Sequence, residues 1–365
     1  MRIIAVLNQK GGVGKTTTVA NLGSALARRG QKVCLVDLDP QSNLTMHFGV
    51  DPAEVKTSTY DLLTGGATFA QAAVAVEDNL TLLPAVIDLA AAEVELAAEV
   101  GREQILRGHL EKENPPYDLM LLDCPPSLGL LTLNALAAAG EVLIPLQPHF
   151  LALQGLGRLL ETVELVNKRI NPTLKVNGVV FCMFESGTKL AGEVVEDVRS
   201  FFAQAHGGPT PWSAARVFQT RIRRNIKLAE CPSYGSSILK YEPSSNGAKD
   251  YLDLAEEFLN PPAVVPAGQV KTAPSASQHG HANSVTMPPV QESAKVGLAE
   301  QRSTQPAVSA AEHVHAESVA ASSDAPPAEP GQADDDVATL PDAPASEPGP
   351  ADDSAAAPPD APATE

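Results

Sequence analysis

The chain opens with an apolar run, Ile3-Ile4-Ala5-Val6-Leu7, and leaves it through Asn8-Gln9-Lys10-Gly11-Gly12-Val13-Gly14-Lys15-Thr16-Thr17-Thr18. A strand that is apolar at every position is buried on both faces, which points to a parallel sheet covered by helices. Residues 16–29 then carry a helical pattern that ends in two basic residues and Gly30, as helix stops do. A glycine loop between a buried strand and a helix start lets backbone N–H groups and the helix dipole converge on an anion. The candidate nucleotide-binding set is therefore Lys10, Gly11, Gly12, Val13, Gly14, Lys15, Thr16 and Thr17. Lys15 is placed to reach the β and γ phosphates of ATP, and the Thr16 hydroxyl to ligate Mg²⁺. The spacing departs from GxxxxGK[ST], because Gln9 stands where the first glycine would fall and Lys10 adds a second cation.

Further strands are predicted at 32–36, 80–83, 119–122, 142–146 and 176–182, alternating with helices over about 89–110, 130–139, 153–169, 192–205 and 248–259. Strands alternating with helices imply right-handed crossovers. The fold class is α/β, a mostly parallel sheet with helices on both faces. Ligands in such folds sit beyond the carboxyl ends of the strands, so the residues there carry the chemistry. Asp37 and Asp39 end the second strand, in Val36-Asp37-Leu38-Asp39-Pro40-Gln41, and Asp123 ends the run 119–122. Each alone reads as a helix cap. Together beside a phosphate loop they read as carboxylates that hold a Mg²⁺ through its water shell. The metal set is Thr16, Asp37 and Asp123.

Composition sets the boundaries. The 365 residues carry a formal net charge of −18, but from 261 to 365 there are 15 acidic residues, 3 basic ones, 17 prolines and no aromatic side chain. That stretch lacks the apolar surface that offsets the entropy of ordering a chain. The expectation is one domain over 1–260 and a disordered acidic tail over 261–365. The opening apolar run is too short for a signal-peptide core, and no segment approaches 18 uninterrupted apolar residues. Cys34, Cys124, Cys182 and Cys231 lie far apart without metal-ligand spacing. They read as buried thiols of a cytoplasmic protein.

Five blocks in order, KGGVGKTTT (10–18), VDLDPQ (36–41), YDLMLLDCPPSLG (117–129), PLQPHFLALQGL (145–156) and the stretch 220–235, resemble the ParA/Soj family of deviant-Walker P-loop ATPases. The resemblance implies a homodimer that sandwiches two ATP molecules and hydrolyses them slowly. It makes Lys10 the signature lysine that crosses to the partner's nucleotide, in the manner of an arginine finger in trans. Lys15 becomes the Walker A lysine, Thr16 a Mg²⁺ ligand and Asp123 the Walker B aspartate. Asp39 becomes the residue that orients the attacking water, supported by Asp37 at the metal's water shell. Asn225 falls in the segment that frames adenine in relatives.

The family also implies non-specific binding of double-stranded DNA by the ATP dimer. An acidic domain needs a local basic patch for that, and Arg216, Arg221, Arg223, Arg224 and Lys227 supply one. Arg221, Arg223 and Arg224 are the candidate DNA-binding residues, set against an ordinary charged helix face. Gly187 stands where relatives carry an arginine often implicated in DNA contact, with Lys189 close by. A basic amphipathic helix that would hold the protein to a membrane is missing, against a MinD-like role. The functional expectation is a nucleoid-associated DNA-segregation ATPase stimulated by a ParB-type partner. The runners-up are an ATPase that positions a protein cargo and an ATP-dependent metabolic ligase.

Overall fold

The computed structural model describes residues 1–261; the tail expected to be disordered lies outside the described residues. Among these, eight strands form one sheet: β1 (Arg2–Val6), β2 (Val33–Asp37), β3 (Val74–Glu77), β4 (Leu80–Leu83), β5 (Leu119–Asp123), β6 (Glu141–Leu146), β7 (Lys175–Phe184) and β8 (Arg216–Arg223). Their spatial order is β3-β4-β2-β5-β1-β6-β7-β8, and every pair is parallel except β3 with β4. The helices in chain order are α1 (Lys15–Arg28), α2 (Asn43–His47), α3 (Thr59–Thr64), α4 (Phe69–Ala72), α5 (Leu89–Glu95), α6 (Ile105–Glu113), α7 (Leu130–Ala138), α8 (Ala152–Arg169), α9 (Lys189–Ala205), α10 (Ile226–Glu230), α11 (Ile238–Tyr241) and α12 (Asn246–Leu259).

Alternate residues of the central strands feed two cores. Ile4 and Val6 of β1 join Leu119 and Leu121 of β5 beneath α1 and α12. Ala5, Met120 and Leu122 face the other way, onto α7, α8 and α9. Burial on both faces is what the continuous apolar runs require, and each fully buried leucine contributes roughly 1.5–3 kcal/mol. All four cysteines are buried free thiols.

Every strand expected from the sequence is present, with ends shifted by up to two residues. Three expectations are corrected. The single helix over 89–110 is instead α5 and α6, because the chain turns extended at Glu99 and makes a short 3₁₀ turn at Arg102–Gln104 before Ile105. Strands at 74–77 and 216–223 are not among the expected elements. Most of the basic segment, for which a charged helix face was the alternative, is the edge strand β8, whose Phe218 and Ile222 are buried while Arg216, Arg221 and Arg223 are half-buried.

That edge is closed by carboxylates. Gln219 N–H and Thr220 N–H donate to the two oxygens of Glu257 at 2.8 and 2.9 Å, and Arg223 N–H donates to Asp250 Oδ2 at 2.9 Å. Both acids belong to α12, and Asp250 also accepts from the Arg223 guanidinium at 2.6–3.1 Å.

Behind the sheet edge, the segment after α10 packs on the one after α2. Gly49 and Gly235 touch backbone to backbone, and a Cβ on Gly235 would sit 2.9 Å from Gly49 Cα. Gly235 also takes a φ of +61°, a left-handed backbone that costs other residues energy. Gly235→Ala is expected to lower stability by roughly 2–3 kcal/mol, read as an earlier denaturant midpoint with an unchanged slope.

Candidate nucleotide and metal site

The register of the three central strands builds the site. Val6 of β1 lies opposite Asp123 of β5, and Asp123 lies opposite Asp37 of β2. The phosphate loop therefore leaves β1 directly beside two carboxylates. Gly14 ends the loop at φ +93°, at the N-cap position of α1, with no side-chain cap. A Cβ there would meet Cys182 at 3.5 Å, and few L residues adopt that backbone. The uncapped first turn leaves its N–H groups to face the loop's interior, as an anion cradle requires.

The two lysines have opposite settings. Lys15 is buried, and its Nζ lies 3.4 Å from the carbonyl oxygen of Lys10, folded across the loop. Lys10 is exposed, and its Nζ leaves the loop to meet His149 Nε2 at 2.6 Å. Thr16 and Thr17 are half-buried at the start of α1. Gly11 and Gly12 are exposed, and Val13 is buried beneath them.

The acidic residues differ as sharply. Asp37 is fully buried and already occupied. Its Oδ2 accepts from Thr45 N–H at 2.9 Å and from the Thr45 hydroxyl at 2.7 Å, and its Oδ1 accepts from Asp39 N–H at 3.1 Å. Burial nevertheless pushes its pKa up to about 6. Asp39 is buried at the mouth, with Oδ1 accepting from Gln41 N–H at 3.0 Å. Asp123 is fully buried, and neither of its oxygens has a hydrogen-bond partner. Burial raises its pKa well above the carboxylate range, and the charge of Asp37 raises it further. The Thr16 hydroxyl and the Lys15 ammonium are near enough to pull it back, though Thr16 does not complete a hydrogen bond.

A fully buried carboxylate with two orphaned oxygens beside a threonine hydroxyl fits a hard cation that keeps most of its waters. Thr16 and Asp123 would hold Mg²⁺, and Asp37 would brace its water shell while fixing Thr45. When bound, the metal neutralises charge on the phosphate oxygens. Among the described residues no group of three or more His, Cys, Asp or Glu side chains forms a denser metal cluster.

Asn225 is the N-cap of α10, its Oδ1 accepting from Lys227 N–H at 2.9 Å. The basic trio is divided. Arg223 is tied to Asp250, Arg224 pairs in solvent with Glu185 at 3.0 Å, and Arg221 lies over the Phe184 ring at 4.4 Å. Gly187 lies in the turn after β7, and Lys189 opens α9 paired to Glu193 at 3.5 Å. Three supports of the site escaped sequence reasoning. Thr45 holds Asp37, His149 holds Lys10, and Asn8 accepts from Lys10 N–H at 3.0 Å while donating to Pro145 O at 2.7 Å. Only Asn8, at a strand end, carried a positional signal.

A buried parallel sheet, a Gly-Lys-Thr loop on an uncapped helix and acidic strand ends define a P-loop nucleotide-hydrolysing protein with a second lysine in the loop. A family model described as an AAA domain matches residues 1–176. The sporulation initiation inhibitor protein Soj of Bacillus subtilis is 46% identical over 257 residues, covering 70% of this chain and 97% of that protein. The chromosome partitioning protein ParA of Caulobacter vibrioides is 41% identical over 263 residues, covering 71% and 94%. Among solved structures, a Mycobacterium smegmatis protein described as cobyrinic acid a,c-diamide synthase, with ADP and magnesium bound, is 39% identical. It covers 71% of this chain and 94% of its own, with a TM-score of 0.60. The chain belongs to the ParA/Soj family and is an ATPase.

The buried carboxylates set a pH dependence. Asp37 and Asp123 have folded pKa values raised above their unfolded ones, so the folded state binds more protons, for Asp37 between about pH 4 and 6. Without metal or nucleotide, the Asp37 contribution to stability is greatest below about pH 4 and is lost as pH rises through about 6, and Asp123 acts with the same sign. Asp123→Asn is expected to make the metal-free chain roughly 1–2 kcal/mol more stable at pH 7.5 and to flatten that slope. The same change should cut Mg²⁺-dependent ATP hydrolysis by about 100-fold or more. Thermal melts from pH 5 to 8, with a phosphate-release assay, check both.

Proposed function

We propose that this chain is a DNA-segregation ATPase, whose ATP-bound homodimer binds duplex DNA without sequence preference on the nucleoid and is stimulated by a ParB-type partner. The observation that carries the reading is the contrast between the two loop lysines. Lys15 is buried in its own loop, whereas the exposed ammonium of Lys10 stands outside it against His149, at the rim where a nucleotide on a second copy would come. Relatives described as chromosome partitioning proteins, matched over nearly their full length, support the same reading.

In this reading Lys15 and the loop N–H groups bind the phosphates, and Lys10 neutralises charge on the partner's transferring phosphoryl group. Asp39, at the mouth and with Oδ2 unengaged by its turn, orients the attacking water. Asn225 borders the adenine. Arg221 and Arg224 lie toward the carboxyl end of β8, which runs parallel to β7. They lie at the same carboxyl end of the parallel strands as the phosphate loop, with β6 and β7 between β8 and β1. Pairing two copies through their nucleotides would therefore bring two weak basic faces to one duplex, and affinity for a polyanion rises steeply with the number of phosphates neutralised. Among the described residues no helix is long and apolar enough to cross a membrane.

The test is duplex DNA binding by the full chain with ATP, ADP or no nucleotide at two salt concentrations. Binding should require ATP and weaken steeply with salt. Arg221→Ala and Arg224→Ala should each reduce the salt slope by about one. Arg223→Ala should mainly cost about 1–2 kcal/mol of stability, by stranding the buried Asp250 carboxylate. Lys15→Ala should abolish ATP binding, and Asp39→Ala should bind ATP and pair without turnover. Absence of ATP-dependent DNA binding would favour a protein-cargo role. Turnover of a small carboxylic acid without DNA would favour the amide-forming activity by which the mycobacterial protein is described.

A further inference from the structure

The contact between Lys10 and His149 has a chemistry of its own. A charged lysine offers only donors, so at 2.6 Å the Nε2 of His149 must accept. Leu151 N–H points at the other ring nitrogen, Nδ1, from 3.2 Å. A neutral imidazole has one bare nitrogen, so in either tautomer only one of these two donors finds an acceptor. The surrounding backbone fixes this arrangement without help from either side chain. His149 N–H donates to Gln147 O and Ala152 N–H donates to His149 O, both at 2.9 Å. On the other side, Asn8 clamps the Lys10 backbone to the end of β6. Burial lowers the pKa of His149, and the Lys10 charge lowers it further, which favours the neutral ring. Phe150 and Leu151, beside it, are 81% and 58% exposed, so nothing in the described chain covers this rim.

We propose that His149 is a positioning residue for Lys10, holding its ammonium on its own subunit through a contested hydrogen bond that yields to the phosphates of a second subunit. The proposal rests on the reading that Lys10 acts in trans. Phosphate oxygens are charged acceptors and make shorter, stronger hydrogen bonds to an ammonium than a neutral ring nitrogen does. The ring bond is weakened further because accepting from Leu151 N–H at Nδ1 requires the tautomer that protonates Nε2, which cannot accept from Lys10. The hold therefore does not block transfer of the lysine. It raises the protein concentration at which two ATP-loaded copies pair, and it keeps Lys10 from folding onto its own loop.

Two measurements on the full chain test this. The first follows the His149 ring by NMR titration without nucleotide. Lys10→Ala should raise the pKa of His149, because a neighbouring positive charge is gone. The second is sedimentation with a non-hydrolysable ATP analogue and Mg²⁺ over a range of protein concentrations. His149→Ala should move the pairing midpoint to an about ten- to hundredfold lower concentration, because two hydrogen bonds per dimer, each worth about three- to tenfold, need not be broken. His149→Gln, which keeps an acceptor, should return the midpoint toward that of the unsubstituted chain. An unmoved His149 pKa, an unmoved midpoint in His149→Ala, or equal shifts in His149→Ala and His149→Gln would each overturn the holding role. If Lys10→Ala pairs as readily as the unsubstituted chain, the trans reading itself fails, and that outcome is distinct from the others.

Discussion

The structure is organised around two carboxylates that the sheet forces together in the dark. Asp37 and Asp123 are register partners at the ends of adjacent strands, both fully buried. Like charges in a low-dielectric interior repel strongly, and neither can be moved without breaking the ladder. The protein relieves one of them internally, by giving Asp37 three hydrogen bonds from Thr45 and the Asp39 backbone. It leaves the other bare. The orphaned oxygens of Asp123 are a cost already present in the fold, and a cation bound there would draw part of its binding energy from relieving it.

The relief given to Asp37 has a structural reach. Thr45 also accepts from Ala85 N–H at 2.9 Å and sits in α2, so the same hydroxyl ties β2 to the segment after β4. From α2 the chain runs to Gly49, in backbone contact with Gly235, while His47 approaches Cys231 at 3.9 Å. The segment that begins with Arg224 and Asn225 is thus packed onto the one that begins with Asp37 and Asp39. Ile238 N–H adds a bond of 2.7 Å to Asn21 of α1, the helix that the phosphate loop opens.

Much of this was legible in the residues. The continuous apolar runs announced buried parallel strands, and a glycine loop before Thr16 announced where the anion goes. Asp37, Asp39 and Asp123 could be read because strand ends are positional signals. What could not be read were pairings between distant loops: Thr45 with Asp37, His149 with Lys10, Asn8 with Pro145. None has a spacing rule, since each depends on which strand lies next to which. The basic segment failed for a different reason. In Arg216–Arg223 the apolar Val217, Phe218 and Ile222 neither alternate strictly nor run together and are matched by three arginines, so the pattern hides a strand that packs against an acidic helix.

That acidic helix decides how copies of the protein can meet. An edge strand normally offers its free N–H groups to any extended chain that arrives, and sheets fuse that way. Here the donors of Gln219, Thr220 and Arg223 are already taken by Glu257 and Asp250, whose negative charges would also face an incoming backbone carbonyl. Crowded copies on a shared surface therefore have one fewer irreversible way to associate. Growth of a continuous intermolecular sheet is blocked at β8, and contacts between molecules on this side of the sheet have to be made through side-chain surfaces that can let go again.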